Sequence, residues 1–291
     1  MSRHAHSLCA VSVLAFAAAM AVSGTRPLAG ARSLAGGPPS AVTVGSLAGS
    51  MRAVAVQDGR AYLAVAQRLV VVDVGDRTAP TLLGESEDLP APARDVVVSG
   101  RLAYVAYGDW TGDCGGLAIV DVTDGSRPVT RGTYEASTTA AAVDVSGSHA
   151  YLALEDYGLQ VVDVTDPQRP RADGSARTLG GALDVVVTEG VAYVVSVNAL
   201  ALWDVAFPSR PELLGAFEGA RDARAVAVQG GRAYVADHQL GLLVLDVADP
   251  RTPALVGSAP VGGGSAVVVE GMVDSVVTQE SGRRPAAGRQ G

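Results

Sequence analysis

The sequence predicts an all-β fold, a β-propeller of about six blades, on three observations. An Ala-Tyr-(Val/Leu) triplet recurs at Tyr62, Tyr104, Tyr151, Tyr193 and Tyr234, in steps of 42, 47, 42 and 41 residues. Three further landmarks keep phase with it. An Asp-Val pair stands at Asp73, Asp121, Asp163, Asp204 and Asp246. A proline follows seven residues later (Pro80, Pro128, Pro170, Pro211, Pro253), and a glycine four after that (Gly84, Gly132, Gly174, Gly215, Gly257). A period of about 40 residues marks a repeat architecture. Finally, the Val-rich segments are apolar on both faces, so each small sheet must be covered on both sides. Sheets stacked face to face around an axis meet that demand. A solenoid is the runner-up, but a ring leaves fewer open edges.

Arg3 opens the chain, an uncharged run of 15 residues follows from Leu8 to Val22, and small residues come next (Ala19-Met20-Ala21, Val22-Ser23-Gly24). This describes a secretory signal peptide over residues 1–24. The run is short for a membrane span, which needs about 20 apolar residues; an uncleaved anchor is the rival reading. Residues 25–40, rich in Gly, Ala and Pro, read as a flexible linker. The propeller domain then spans 41–279, with repeats near 51–93, 94–140, 141–182, 183–223 and 224–265, and a partial one at 266–279.

Each repeat reads as four strands. The first is Val-x-Val, as in Val54-Ala55-Val56, and a Gly-bearing turn leads to the second, which carries the tyrosine. The third is LVVVDV, LAIVDV, LQVVDV, LALWDV or LLVLDV, and the fourth runs from the proline to the glycine. Val enrichment and Gly/Pro/Asp punctuation are the strand signals. A sixth blade is expected to be shared between the termini. Ala41–Ser46 (AVTVGS) matches a fourth strand, Val267–Gly271 a first strand and its turn, and Ser275–Val277 a second. Its third strand is absent, so either three strands suffice or the frame is truncated. Residues 280–291 read as a disordered tail.

The strings Gly158–Pro167 (GLQVVDVTDP) and Gly241–Pro250 (GLLVLDVADP) carry a family resemblance. With them the chain resembles the LVIVD repeat of bacterial and archaeal secreted or surface proteins over residues 51–265, with a degenerate continuation to 279. The resemblance implies a propeller-like fold and is nearly silent on activity.

Composition excludes several functions. The net charge is −8 and the pI near 5.0, against nucleic acid and against polybasic docking on anionic lipid. All 22 basic residues are Arg, so a Schiff-base lysine and a P-loop lysine are excluded together. Cys9 lies in the signal, which leaves Cys114 alone, with neither an internal disulfide nor a thiolate zinc site.

A residue present in every repeat reads as architecture. The third-strand aspartates are expected to accept backbone N–H bonds from the turn that follows them, rather than to form a ring of cation ligands. The repeated tyrosines are expected between blades. Trp203, at the position of Val72, Val120, Val162 and Leu245, reads as core filling.

Function is expected where the copies differ. The second repeat carries an insertion between its second and third strands, Gly108–Gly116 (GDWTGDCGG). Trp110 beside Asp109 and Asp113 suits a carbohydrate or peptide site, because the ring stacks and the acids orient. A merely variable loop and a metal loop are the competing readings. In a propeller these loops share a face with those entering the first strands, which gathers Tyr107, Glu155, Asp156, Tyr157, Asp237 and His238 around the insertion. The first strand is innermost, and Arg52, Arg94, Asp95, Asp184 and Arg224 fall near the channel mouth. There they form either a mixed-charge ring for a polar ligand or a solvated rim.

Catalysis has little support. His149 and His238 fall at opposite ends of their blades, no G-x-S-x-G elbow exists, and Gly262–Gly264 leads into a strand, not a helix. No catalytic residue, metal or cofactor is assigned. The expectation is an exported, non-enzymatic, monomeric module at the cell envelope that binds a protein, peptide or glycan through loops on one face. It spans no membrane once the signal is removed, and is periplasmic, cell-surface or extracellular. The alternative is a carboxylate hydrolase or lyase acting on a polysaccharide at the axial channel. A third reading is a propeller fragment with no independent role.

Overall fold

Antiparallel pairing of consecutive strands builds five separate four-stranded sheets. They come from a computed structural model that describes residues 51–178, 180–260 and 266–267. Blade one contains β1 (Met51–Gln57), β2 (Arg60–Val65), β3 (Arg68–Asp73) and β4 (Thr81–Glu85); blade two contains β5 (Ala93–Ser99), β6 (Leu102–Gly108), β7 (Gly115–Asp121) and β8 (Val129–Ala136). Blade three contains β9 (Ala140–Ser146), β10 (His149–Leu154), β11 (Gly158–Asp163) and β12 (Arg171–Arg177). Blade four contains β13 (Ala182–Thr188), β14 (Val191–Ser196), β15 (Ala199–Asp204) and β16 (Glu212–Phe217). Blade five contains β17 (Ala223–Gln229), β18 (Arg232–Asp237), β19 (Gly241–Asp246) and β20 (Ala254–Ala259). The first strands β1, β5, β9, β13 and β17 pack on one another in that order.

Both faces of each blade are apolar because the core lies between blades. Tyr62, Ala64, Leu69 and Val71 of blade one meet Ala103, Val105, Tyr107 and Ala118 of blade two. Tyr104, Ala106, Leu117 and Ile119, from the other face of blade two, meet Val143, Ala150, Leu152 and Leu154 of blade three. All five repeated tyrosines are buried, Tyr62, Tyr104, Tyr151 and Tyr193 in such layers and Tyr234 against Val267, as expected of an apolar ring at about 150–250 Å² each. Trp203 fills the layer between blades three and four, though its Nε1 finds no partner among the described residues.

The aspartate that ends each third strand is a turn cap. Oδ1 of Asp73, Asp121, Asp163, Asp204 and Asp246 accepts the N–H two residues on, at 2.8, 3.0, 2.9, 2.9 and 3.1 Å. The outer strands depart from the expected limits. Each continues past its glycine, by one residue in β4 and by four in β8. A β-bulge precedes that glycine in every blade, at Leu83, Arg131, Asp173, Leu214 and Val256. The bulge bends the strand and brings the glycine against the turn of the next blade. A Cβ on Gly132 would lie 2.5 Å from the Pro167 carbonyl oxygen, and one on Gly215 2.6 Å from that of Pro250. Gly84 and Gly174 meet the equivalent turns at Gly125–Ser126 and Pro208–Ser209.

The signal peptide, linker, tail and Ala41–Ser46 lie outside the described residues, as does the shared sixth blade except for Ala266 and Val267. Val267 is buried against Tyr234, Ala236 and Leu242 of blade five. The opposite outer face of the array, Ala61, Leu63 and Val72 of blade one, is buried as well.

Candidate functional site

Backbone hydrogen bonds fix one face of the array. The turns after the second strands bond to the segments entering the first strands: Gly108 N to Pro92 O (2.9 Å), Glu155 N to Thr139 O (3.1 Å), Ala223 N to Val197 O (2.9 Å) and His238 N to Asp222 O (2.8 Å). The insertion of blade two therefore stands on this face, next to the Thr138–Thr139 segment that enters β9.

The insertion is rigidly built. Asp109 Oδ1 accepts the N–H groups of Gly112 (2.9 Å) and Cys114 (3.5 Å), and Asp109 N donates to Cys114 O (2.9 Å). Burial would raise the Asp109 carboxyl, but hydrogen bonds from Thr111, Cys114 and Gly112 outweigh it and hold the group below its usual range. From outside, Arg94 donates to the carbonyls of Gly108 (3.0 Å) and Asp109 (3.1 Å), and the Thr139 hydroxyl donates to Asp109 O (2.6 Å). Gly108 and Gly115 lie where any side chain would collide with Thr138 and Thr139. At the tip Trp110 is 90% exposed. A large apolar ring is thus held out in water by a fixed backbone, so little ordering entropy remains for a ligand to offset.

Blade three contributes the neighbouring loop. Its Asp156 is exposed and accepts the Thr138 hydroxyl at 3.0 Å. Glu155 Oε1 lies 3.9 Å from the Arg94 guanidinium. Tyr157 is half-buried, with the Arg177 guanidinium 4.7 Å from its ring centroid, a cation–π geometry. Trp110, Asp113, Glu155, Asp156 and Tyr157 thus lie on the adjoining loops of blades two and three.

The expected set does not all gather there. Tyr107 is fully buried, because its place in β6 points it into the layer between blades one and two. Its hydroxyl donates to Tyr134 O (3.3 Å), and burial pushes its pKa up to about 12. It cannot touch a ligand. Asp109 is the organiser of the loop, with Oδ1 and both backbone groups engaged, rather than a free contact. Asp237 and His238 belong to blade five, with blades three and four between them and Trp110. Asp237 is buried and receives four N–H bonds, from Arg221 (2.7 Å), Asp222 (3.0 Å), Gln239 (2.8 Å) and Leu240 (2.8 Å), which outweigh burial and hold its pKa down. His238 is exposed on the loop that Asp237 organises.

The mixed-charge ring at the channel mouth is corrected by local geometry. Arg52, Arg94 and Arg224 each occupy the bulge residue that opens an inner strand. Arg52 is exposed, Arg94 holds the insertion, and Arg224 pairs with Asp222 at 2.7 Å. Asp95 and Asp184 follow the bulge, and their carboxylates are engaged with backbone N–H groups, including those of the next blade's inner strand. His149 pairs with Asp173 at 3.2 Å, and among the described residues no cluster of His, Cys, Asp and Glu could hold a metal. A shallow cleft of about 410 Å³ on blade four is lined by Gly180, Asn198, Ala199 and Glu218, one carboxylate without a second.

Sequence reasoning missed three residues of this site. Thr138 and Thr139 fasten the insertion to blade three, and no pattern marks them. Arg177 caps Tyr157 from the outer strand. Away from this face, at the other end of blade four, Phe207 is 78% exposed at the turn position where Asp76, Asp124, Asp166 and Asp249 cap the other blades, a substitution visible on aligning the repeats.

A family model described as LVIVD repeat matches residues 48–88, 91–136, 138–178, 179–218 and 220–260. No curated protein matches the chain. Among solved structures, it is similar to a functionally unknown protein from Desulfotomaculum acetoxidans, at 13% identity over 77% of this chain and 73% of that one, with a TM-score of 0.63. The β-propeller domain of Myceliophthora thermophila Cps50 (Swd1) gives 14% identity, 74% and 73% coverage, and a TM-score of 0.59. Kuenenia stuttgartiensis hydrazine synthase gives 17%, 74% and 76%, and 0.57. At these identities the likeness is one of fold.

Proposed function

This chain belongs to the LVIVD-repeat family, and on that premise we propose that it is an exported, non-enzymatic β-propeller that binds a partner at the cell envelope. The partner is a protein, peptide or glycan, taken by the loops of blades two and three. One observation carries the reading: Trp110, on the insertion peculiar to blade two, is 90% exposed while the carbonyl just before it is held by both Arg94 and Thr139. A Trp left in water on a rigid loop costs solubility and adds nothing to the core. Stacking on a sugar or a peptide side chain gives it a use. Asp113 and Asp156 flank it as polar contacts. Export is supported by the basic start and apolar run of residues 1–24.

The carboxylate-hydrolase reading is weaker. The acids it needs, Asp95 and Asp184, each accept two backbone N–H bonds, one from their own strand and one from the inner strand of the next blade. A general acid or base must be free to exchange its proton with substrate.

The test is capture from envelope extract and on a glycan array by the protein and by Trp110→Ala. The expected result is a ligand retained by the protein and lost from the variant, with unchanged thermal stability. Equal capture by both would move the site elsewhere. Turnover of a polysaccharide panel, abolished by Asp95→Asn or Asp184→Asn, would favour the hydrolase.

A further inference from the structure

The turns on the insertion's face differ in height from blade to blade. Six residues separate the second and third strands in blade two, three in blade three, two in blade four and three in blade five. The two-residue turn Val197-Asn198 therefore lies low between taller neighbours, and the cleft of about 410 Å³ opens over it. Gly180 and Ala199 line the cleft without polar side chains, and Asn198 and Glu218 supply its polar groups. The backbone around it is held: Val197 O accepts the Ala223 N–H at 2.9 Å, and Gly180 O accepts the Thr178 hydroxyl at 2.5 Å. Asn198 and Glu218 are exposed, and neither side chain has a partner among the described residues. Contacts run from the insertion to this cleft. A Cβ on Gly112 would lie 3.5 Å from Asp156 Oδ2, and one on Gly181 would collide with the Glu155 carbonyl. The loop of blade three thus touches the insertion on one side and the edge of the cleft on the other.

Resting on the reading of Trp110 as a contact residue, we propose that the ligand is an uncharged polysaccharide whose chain crosses the loops of blades two to four. One sugar stacks on Trp110, and another is held in the blade-four cleft by Asn198 and Glu218. A sugar hydroxyl both donates and accepts; the Asn198 amide can do either, and the Glu218 carboxylate accepts. Charge selects against a polyanion. Asp113, Glu155, Asp156 and Glu218 stand along the path, whereas Arg94 is committed to the carbonyls of Gly108 and Asp109 and Arg177 to the ring of Tyr157. A peptide fits less well. Peptide affinity centres on side chains in closed pockets or on a strand added to an open sheet edge. The cleft is shallow, and the turn at its centre joins β14 and β15, each already paired on both sides.

Two separate contacts on one chain contribute independently to its affinity. Loss of the Trp110 ring, or of the Asn198 and Glu218 side-chain bonds, should each weaken binding about tenfold. Loss of both should weaken it about a hundredfold, because distant sites add in free energy. Neither Asn198 nor Glu218 stands at positive φ, and both are exposed, so Asn198→Ala with Glu218→Gln leaves the fold intact.

The experiment is titration calorimetry of the protein with soluble mixed-linkage β-glucan, galactomannan, arabinoxylan and amylose. Heparin serves as the anionic comparison and poly-L-lysine as the peptide one. Trp110→Ala, the cleft pair Asn198→Ala with Glu218→Gln, and all three changes together are titrated alongside, with Tm read for each. The expected result is binding of at least one neutral polysaccharide, weakened about tenfold by either change and about a hundredfold by both, at unchanged Tm. Binding that Trp110→Ala weakens and the cleft pair leaves intact overturns this proposal and spares the reading of Trp110. Binding that only the cleft pair weakens overturns the reading of Trp110 and the two-point arrangement with it. Binding of heparin or poly-L-lysine alone, or of nothing in the panel, overturns the choice of ligand.

Discussion

Replacing Gly215 by Ala tests the docking of one blade's turn on its neighbour's outer strand. The backbone there is compatible with any residue, so only space is at stake. The added Cβ would lie 2.6 Å from Pro250 O and 2.7 Å from Arg251 O, where ordinary contact begins at 3.4 Å. The shortfall of about 0.8 Å falls on backbone atoms, so no side chain can swing aside. Overpacking of this kind costs about 1–3 kcal/mol. Taking about 2 kcal/mol, a domain of this size loses roughly 4–8 °C of Tm. Thermal unfolding followed by circular dichroism reads the change. Gly132→Ala, two interfaces away, meets the Pro167 carbonyl oxygen at 2.5 Å and should add its own loss to that of Gly215→Ala. A Gly215→Ala protein with undiminished Tm would refute the reasoning.

Acid should weaken the turn caps. The hydroxyl and N–H of Thr123, then Arg131 at 2.8 Å, hold the Asp121 carboxyl down to about 2. Its contribution is present above the usual 3.8 and lost as pH falls through 2, so Asp121→Asn should melt a few degrees lower at pH 6 and converge with the parent near pH 2. Asp237→Asn leaves two of four N–H donors without an acceptor, at about 2–4 kcal/mol, and amide exchange should accelerate at Arg221 and Asp222 or at Gln239 and Leu240. Thr139→Val removes the 2.6 Å bond to Asp109 O. In a Trp203→Phe background the anisotropy of Trp110 emission should drop while Tm barely moves.

The repeat made the architecture readable, because every landmark answers one local demand. The third-strand aspartate caps a turn, the tyrosine fills a layer between blades, and the glycine admits the next blade's turn. Periodicity reports such demands directly, since each recurs in every blade. The insertion was legible for the converse reason, as the place where one copy departs from the rest. What escaped was the direction of side chains. Strand alternation sends Tyr107 inward although the next residues form an exposed loop. Arg94 reads as a channel charge, yet the bulge at its position leaves it free to reach the carbonyls of Gly108 and Asp109. Asp144 lies two residues out of phase with Asp95 and Asp184, so aligning the repeats hides that all three accept an N–H from the inner strand of the next blade.

The glycine sockets give the array a polarity. Each blade offers a recess on its outer strand and a turn on its other side, so every junction joins unlike surfaces. Contacts of that kind have no built-in stopping point, and end only by closing on themselves. Closure therefore sets a condition on whatever adjoins blade one. It must bring a residue without a side chain against the turn at Arg77 and Thr78, which corresponds to Pro167–Gln168 and Pro250–Arg251 in later blades. In the sequence, Gly45 holds the same phase in AVTVGS that Gly257 holds in PALVGS.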